Sequence, residues 1–216
     1  MTKPQLRVLI LDFDGVVVES NDIKTAAFRT LFARYPEQQA AMMQFHFENV
    51  SLTRFAKFEH LLQLLGRQSD AALRANLSAE FSRLTLEQVV QAQNVAGAPQ
   101  LLQSIAPRLP LYLASVTPQT DLELVLQRRD QRRWFKDCFG CPPWSKPDAI
   151  REILRREQCE ADEALLIGDS AGDQRSAREA GVRFLGRDSG LAFDAPRPRT
   201  VPDLNAALDV VEEMLN

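Results

Sequence analysis

The sequence predicts an α/β protein, a doubly wound parallel sheet that carries an inserted all-helical domain. Short apolar segments, each followed by a polar turn, alternate with helical patterns over most of the 216 residues. Residues 20–95 interrupt this alternation, because they carry helical periodicity throughout and no convincing strand. We therefore expect a core domain made of residues 1–19 and 96–216 and a helical domain made of residues 20–95.

The predicted strands share one form, a short apolar run that ends at a polar or glycine-containing turn. The first covers residues 6–11, is partly β-branched, and leads into an Asp-Phe-Asp-Gly turn. A further strand is expected in the connection before Lys146, although its bounds are not defined by the pattern. The other runs cover residues 109–114, 164–167 and 182–185 and end at Ser115, Gly168 and Gly186.

Helical patterns fill the intervals between these strands. Gly181 follows one of them as a predicted C-cap, and Pro36 and Gly66 separate patterns of the inserted domain. Residues 187–199 are rich in Gly, Pro, Asp and Arg and predict a surface loop. The predicted core helices cover residues 99–105, 121–129, 148–157, 171–180 and 202–215, and the inserted ones cover residues 23–35, 37–47, 53–65 and 69–93.

Composition limits the class of partner. With 45% hydrophobic and 25% charged residues, the chain is long enough for one sizeable core with an insertion. The formal net charge of -3 provides no basic field for a nucleic-acid backbone, so we expect no nucleic-acid partner. Residues 1–4 lead into an apolar run that is too short to span a membrane and lacks a signal-peptide cleavage region. We expect a cytoplasmic protein without a membrane partner; its oligomeric state is left open.

The cysteines do not predict a disulfide framework or a zinc site. There are three of them, an odd number, and Cys138 and Cys141 form a single C-x-x-C pair. A structural zinc site usually needs a second pair of ligands, and the two histidines, His46 and His60, lie far upstream without matching spacing. We expect buried or incidental thiols in a reducing compartment.

Polar residues follow the predicted strands, where an open parallel sheet binds its ligands. Lys146 adds a cation just before the helix start at Pro147. Carboxylates crowded at one edge repel each other unless a cation lies among them, and oxygen ligands without nearby His or Cys favour Mg²⁺. Taken singly, these segments are more typical of turns, of a helix cap at Gly168-Asp169-Ser170 and of surface lysines than of a catalytic site. The other polar residues after strands are Asp12, Asp14, Ser115, Thr117, Asp169 and, one helical turn later, Asp173.

Four segments together resemble the signature of the haloacid dehalogenase superfamily, whose members are mostly phosphatases and related phosphotransferases. The resemblance covers most of the core, with each motif in order after a predicted strand. It implies a Rossmann-like core, a mobile helical cap, Mg²⁺ and a small phosphorylated metabolite as substrate. The segments are Leu-Ile-Leu-Asp-Phe-Asp-Gly-Val-Val at residues 9–17, Leu-Ala-Ser at 113–115, Ser-Lys-Pro at 145–147 and Ile-Gly-Asp-Ser-Ala-Gly-Asp at 167–173.

The resemblance also implies roles for individual residues. Asp12 would be the nucleophile that forms an aspartyl-phosphate, and Asp14 would act first as an acid and then as a base. Ser115 would hydrogen-bond a phosphoryl oxygen, with Thr117 as a weaker candidate for that role, and Lys146 would offset negative charge.

Gly15 and the metal ligands complete this set. Gly15 would permit a sharp turn and leave backbone N–H groups free for phosphoryl oxygens. Asp169 would ligate Mg²⁺ together with a carboxylate oxygen of Asp12 and the backbone carbonyl of Asp14. Asp173 would hold a metal-bound water or orient Lys146.

The inserted domain offers candidates for substrate recognition. Arg54 and Lys57 are expected on one face near the start of a helix, where they could bind a carboxylate or second phosphate of the leaving group. An equally weighted alternative is a solvated cationic face beside packed phenylalanines. Lys24 is a weaker candidate of the same kind. The histidines are expected to be partly buried, and Glu19 to have a hinge or supporting role.

Other activities remain open from the sequence. A phosphomutase would need the same aspartyl-phosphate, and phosphonate cleavage would need a cap lysine such as Lys57 or Lys24. A dehalogenase is disfavoured, because that reaction needs neither Mg²⁺ nor an acid at Asp14. A binding module without activity is the alternative from another class. Val116, and the lack of a longer Pro-containing segment after Lys146-Pro147, prevent assignment of a particular substrate.

Overall fold

The computed structural model describes residues 5–215, which form two compact units. One unit runs up to Glu19 and resumes at Gln93, and the other comprises Ser20–Ala92. The predicted core domain also includes residues 1–4 and 216, which lie outside the described residues.

The Ser20–Ala92 unit is helical. Side chains of Phe28, Phe58 and Phe81 meet at its centre, with the Phe28 and Phe81 ring centroids 4.5 Å apart. The hydroxyl of Thr53 accepts a hydrogen bond from the Ala56 N–H and so caps the third helix. The four helices are α1 (Asn21–Phe32), α2 (Pro36–Glu48), α3 (Arg54–Leu64) and α4 (Ala71–Gln91).

The other unit contains a six-stranded parallel sheet, and the predicted α/β fold class is confirmed. Along the sheet the order is β3-β2-β1-β4-β5-β6. The first strand is central, and Leu9 lies opposite both Leu111 and Leu165. The strands are β1 (Val8–Leu11), β2 (Leu111–Ser115), β3 (Asp137–Gly140), β4 (Ala164–Gly168), β5 (Arg183–Arg187) and β6 (Thr200–Val201).

Five helices of this unit accompany the sheet. Buried residues of α7 and α8 form one hydrophobic cluster with β1, β2 and β4. Helix α8 begins after the cap Ser170 and ends at Ala180, and Gly181 is its C-cap, as the sequence predicted. These helices are α5 (Ala98–Ile105), α6 (Gln119–Arg128), α7 (Lys146–Glu157), α8 (Ala171–Ala180) and α9 (Leu204–Leu215).

The register of the sheet positions the polar residues that follow the strands. Leu11 lies opposite Leu113 on β2 and Ile167 on β4, so the three strands end at one edge. Residues 8–11 and 164–168 are buried throughout, because helices cover both faces of a parallel sheet. The polar turns that follow these strands therefore lie at one edge of the buried apolar sheet.

Two further structural findings bear on earlier expectations. Over residues 5–215, no helix combines the length and the apolar character needed to cross a lipid bilayer. Cys138, Cys141 and Cys159 keep free thiols.

Candidate active site

Charged and polar side chains gather beyond the carboxyl ends of β1, β2 and β4. Asp12, Asp169 and Lys146 are all buried, although each carries an ionisable side chain. Burying this many charges is costly unless they compensate one another or bind an ion. The other buried members are Asp14, Ser115, Ser170 and Asp173.

Lys146 links two of the carboxylates. Its ammonium lies 3.0 Å from Oδ1 of Asp12 and also donates a hydrogen bond to Oδ1 of Asp173. Burial opposes the charged form of Lys146, but the two carboxylates outweigh it and raise the pKa of Lys146 above its ordinary value. Lys146 is therefore a permanent cation between Asp12 and Asp173.

Asp173 has both carboxylate oxygens engaged. While Oδ1 faces Lys146, Oδ2 accepts hydrogen bonds from the backbone N–H groups of Asp169 and Ser170 and, at 2.6 Å, from the Ser170 hydroxyl. Gly168 leaves room for this arrangement, since a Cβ there would overlap the Asp173 side chain. This geometry favours the predicted orientation of Lys146 by Asp173 over direct metal ligation.

One oxygen of Asp12 lacks a hydrogen-bond donor. Among residues 5–215, no donor meets Oδ1 of Asp12 with hydrogen-bond geometry, although the Lys146 ammonium lies close enough for an ion pair. Burial raises the pKa of the Asp12 carboxyl well above its ordinary range; Lys146 opposes this, and the neighbouring carboxylates reinforce it. The site therefore holds more negative charge than Lys146 alone offsets.

This donor set fits a hard divalent cation. Asp12, Asp169 and Asp173 each place a carboxylate oxygen within 4.8 Å of the others. A cation held by Asp12 and Asp169 would bind the Asp12 oxygen and oppose the burial and the carboxylate repulsion that raise the pKa of Asp12. Oxygen-only ligands are those that Mg²⁺ prefers.

Asp14 is held from the neighbouring strand. The hydroxyl of Thr117 donates to Oδ2 of Asp14 at 3.0 Å, and the Thr117 backbone N–H donates to the Ser115 hydroxyl oxygen at 3.1 Å. These bonds connect the β1 turn to the end of β2. Ser115, Thr117 and Asp14 thus form a second hydrogen-bonded group beside the Asp12–Lys146–Asp173 group.

The expectation for Gly15 needs one correction. Its φ of 72° does permit the sharp turn after Asp14. However, its N–H donates to the Val18 carbonyl at 2.8 Å, and the N–H groups of Val16 and Val17 point to the Phe13 carbonyl. These donors are not free for phosphoryl oxygens, because the turn itself uses them.

Arg54 and Lys57 contact different helices of the Ser20–Ala92 unit. Arg54 donates to the Ser82 hydroxyl at 2.6 Å and lies over the Phe81 ring. The Lys57 ammonium lies 2.9 Å from Nδ1 of His46 and donates to the Val50 carbonyl at 3.2 Å. With exposures of 8% and 2%, they do not form the solvated cationic face that was the alternative. Their role in substrate binding stays a prediction.

The histidines pack within the same helical unit. His46 is buried, and its Nε2 lies 3.0 Å from the Thr25 hydroxyl. His60 stacks on Phe45, with ring centroids 3.9 Å apart. Both contacts are of the packing type expected from the sequence.

The buried amine of Lys57 leads to a stability prediction. Burial, with a smaller contribution from Lys24, lowers the pKa of Lys57 to about 7, and burial followed by Lys57 lowers the pKa of His46 to about 4. Between about pH 7 and the ordinary value of 10.5, Lys57 binds more protons in the unfolded chain than in the folded chain, so its contribution to the free energy of unfolding rises with pH. We expect Lys57→Met to be the more stable protein at pH 7 by about 2–4 kcal/mol, with the difference vanishing above pH 10.

Urea denaturation of wild type and Lys57→Met between pH 7 and pH 10.5, followed by circular dichroism, measures this effect. Lys24→Met is the control, because it removes a nearby charge without removing the buried amine, and should produce a smaller change in the same direction. Parallel stability profiles for wild type and Lys57→Met would contradict the prediction.

Two residues of the site region were missed from the sequence. Ser170 was considered only as a common helix cap, although the Ser-x-x-Asp spacing to Asp173 is a capping-box pattern and both of its hydrogen bonds are present. Arg187 ends β5 and reaches the Gly15 carbonyl. Examining the polar residues just beyond the predicted strand at residues 182–185 would have singled it out.

The comparisons with known proteins define the class. A profile of the haloacid dehalogenase-like hydrolases matches residues 9–187, and the chain belongs to this family. This membership confirms the predicted superfamily and the prediction of a hydrolase.

Individual relatives are similar over nearly the whole chain. A phosphoglycolate phosphatase of Vibrio parahaemolyticus is 24% identical over 234 residues, which cover 100% of this chain and 97% of the relative. A crystal structure described as a predicted phosphatase from Clostridium acetobutylicum aligns with a TM-score of 0.77 at 16% identity, covering 97% of this chain and 100% of the other. CbbY from Rhodobacter sphaeroides, solved with xylulose 1,5-bisphosphate, aligns with a TM-score of 0.72 at 16% identity, covering 93% and 95%. At these identities the structural likeness shows the fold.

Proposed function

We propose that the chain is a Mg²⁺-dependent phosphatase that hydrolyses a small phosphorylated metabolite, a sugar phosphate or an organic-acid phosphate, through an aspartyl-phosphate on Asp12. The observation that carries this proposal is the buried Asp12 carboxylate, with one oxygen lacking a hydrogen-bond donor, beside Lys146 and the carboxylate of Asp169. Relatives named phosphoglycolate phosphatase support the reaction class. A cytoplasmic location, expected from the sequence, belongs to the same proposal.

In the first transfer, a carboxylate oxygen of Asp12 forms a bond to phosphorus while the bond between phosphorus and the leaving oxygen breaks. Asp14 donates its proton to that leaving oxygen. Thr117 supports this step because its hydroxyl holds Oδ2 of Asp14 and thereby orients the carboxyl group. Ser115 is the proposed donor to a phosphoryl oxygen.

In the second transfer, Asp14 takes a proton from water as the water oxygen attacks phosphorus. The bond from Asp12 to phosphorus breaks, inorganic phosphate leaves, and both carboxyl groups return to their starting states. Lys146 stabilises negative charge on Asp12 and on the phosphoryl group throughout, since its two carboxylate neighbours keep it protonated.

Asp12, Asp169 and the backbone carbonyl of Asp14 would hold Mg²⁺ in this proposal. A bound Mg²⁺ would offset the charge of the phosphoryl oxygens and of Asp12. Asp173 contributes by orienting Lys146 and the turn at residues 168–170, because its oxygens are occupied by these groups. Arg54 and Lys57 are the residues proposed to bind a carboxylate or second phosphate of the leaving group. Their hydrogen bonds to Ser82 and Val50 support a second role, in packing of the helical unit.

A panel of phosphate esters tests the function. The purified chain is expected to release inorganic phosphate from p-nitrophenyl phosphate and from at least one small metabolite, with 2-phosphoglycolate and pentose and hexose phosphates included. EDTA should abolish release, and added Mg²⁺ should restore it. An isomeric sugar phosphate formed without free phosphate would identify a phosphomutase instead. Release that is insensitive to EDTA, or no turnover of any ester, would refute the proposal.

A further inference from the structure

The side chain of Arg187 connects three separate segments of the sheet-containing unit. It is the last residue of β5, and only 12% of its side chain is exposed. Its Nη1 donates to the Gly15 carbonyl at 3.2 Å, and its two terminal nitrogens pair with both carboxylate oxygens of Glu19 at 3.2 and 2.5 Å. Its Nε donates to the Pro202 carbonyl at 3.3 Å. The guanidinium is thus almost fully engaged in a defined orientation.

The segment that Arg187 holds is the turn that follows Asp14. Inside this turn, the Gly15 N–H donates to the Val18 carbonyl, and the Val17 and Val18 N–H groups both donate to the Phe13 carbonyl. Arg187 contacts the beginning of the segment at Gly15 and its end at Glu19. Few other side chains could do both, because the planar guanidinium has five fixed donors whereas a lysine offers a single charge centre.

The Gly15 carbonyl belongs to the residue bonded directly to Asp14. Thr117 orients the Asp14 carboxylate from the side of β2, as described above. Arg187 acts from the side of β5, on the backbone that carries Asp14. The turn that carries Asp14 is therefore held on one side of β1 by Thr117, which follows β2, and on the other side by Arg187, at the end of β5 beyond β4.

We propose that Arg187 is a positioning residue that holds the Gly15–Glu19 turn, and through it the acid–base group of Asp14, for proton transfer to the leaving group. The inference rests on the proposed function, since it deepens the role of Asp14 in that reaction. It also gives Glu19 a role, as the carboxylate that fixes the orientation of the Arg187 guanidinium.

If the Asp14 carboxyl group is displaced, kcat/KM falls by different factors for substrates with different leaving groups. An alkoxide is a poor leaving group and needs the proton, whereas p-nitrophenolate is a weak base and leaves without one. The ratio of kcat/KM for an alkyl phosphate to kcat/KM for p-nitrophenyl phosphate therefore reports on proton donation during the first transfer. A loss of folded protein lowers both values by the same factor and leaves the ratio unchanged.

The test measures this ratio for wild type, Arg187→Met and Arg187→Lys, with the best alkyl phosphate of the panel. We expect Arg187→Met to lower the ratio about tenfold, a part of the 10²–10⁴-fold that general acid catalysis supplies. Arg187→Lys should also lower it, because one ammonium cannot hold the Gly15 carbonyl and both Glu19 oxygens. Arg197→Met is the matched control, since this exposed arginine pairs with Asp188 and makes none of these contacts, and its ratio should equal that of wild type.

An unchanged ratio in Arg187→Met, with kcat/KM lowered equally for both substrates, would overturn the inference. Arg187 would then only stabilise the fold through its ion pair with Glu19. If Arg187→Met does not fold, an unchanged ratio in Arg187→Lys overturns it in the same way. A wild-type chain that turns over neither substrate would refute the proposed function itself, and the inference with it.

Discussion

Asp12→Asn is expected to reduce phosphate release from p-nitrophenyl phosphate by at least about 10⁴-fold, because a neutral carboxamide is a very poor nucleophile at phosphorus. The variant should nevertheless fold. Burial and the carboxylates of Asp173, Asp169 and Asp14 disfavour the charged form of the Asp12 side chain, which the amide does not carry. Its melting temperature without metal should therefore equal or exceed that of wild type.

Phosphate release and thermal unfolding, measured on the same preparations, separate catalysis from folding. Asp22→Asn is the matched control, because Asp22 is an exposed aspartate in the first turn of α1 and lies outside the acidic cluster. It should keep wild-type activity. Turnover by Asp12→Asn within tenfold of wild type would exclude Asp12 as the nucleophile.

Asp169→Asn is expected to weaken Mg²⁺ binding and to raise the stability of the metal-free protein. In the wild type, Mg²⁺ should raise the melting temperature, since a ligand of the native state present at 100 times its Kd stabilises by about 2.7 kcal/mol. The variant should lose most of this increase and at least about 100-fold in activity. Without metal it should be more stable than wild type, because one of the carboxylates that crowd Asp12 is gone.

Thermal melts with EDTA and with increasing Mg²⁺ measure both effects. Asp209→Asn serves as the control, because Asp209 is exposed on α9 and should leave the Mg²⁺-dependent increase intact. An Asp169→Asn protein whose melting temperature responds to Mg²⁺ like that of wild type would show that Asp169 is not a ligand.

Most of the sheet could be predicted because its central strands are continuous apolar runs. β1, β2, β4 and β5 overlap the segments expected from the sequence. β3 could not be bounded, since Asp137–Gly140 contains a charged residue and a glycine in only four positions. β6 was missed because the two residues Thr200–Val201 are too short to show any period and owe their strand conformation to pairing with β5.

The cluster residues could be anticipated, but their partners could not. The motifs placed Asp12, Lys146 and Asp169 at one edge of the sheet, where the structure also has them. The sequence does not specify which oxygen of Asp173 meets Lys146, because that depends on side-chain rotamers and on the turn after β4. Likewise, helical spacing puts Arg54 and Lys57 near each other, but their contacts with Ser82 and His46 depend on how distant helices pack.

The central position of β1 has a consequence for biosynthesis. The ribosome makes this strand before either of its two hydrogen-bonded neighbours, because β2 (Leu111–Ser115) and β4 (Ala164–Gly168) lie about 100 and 150 residues further along the chain. Until Ala164–Gly168 is made, one side of an entirely apolar strand has no partner, and such an unpaired edge promotes aggregation. Interrupted translation before that point should therefore yield insoluble fragments, and competence for chemistry should arise only after β4 has been made and has paired with β1.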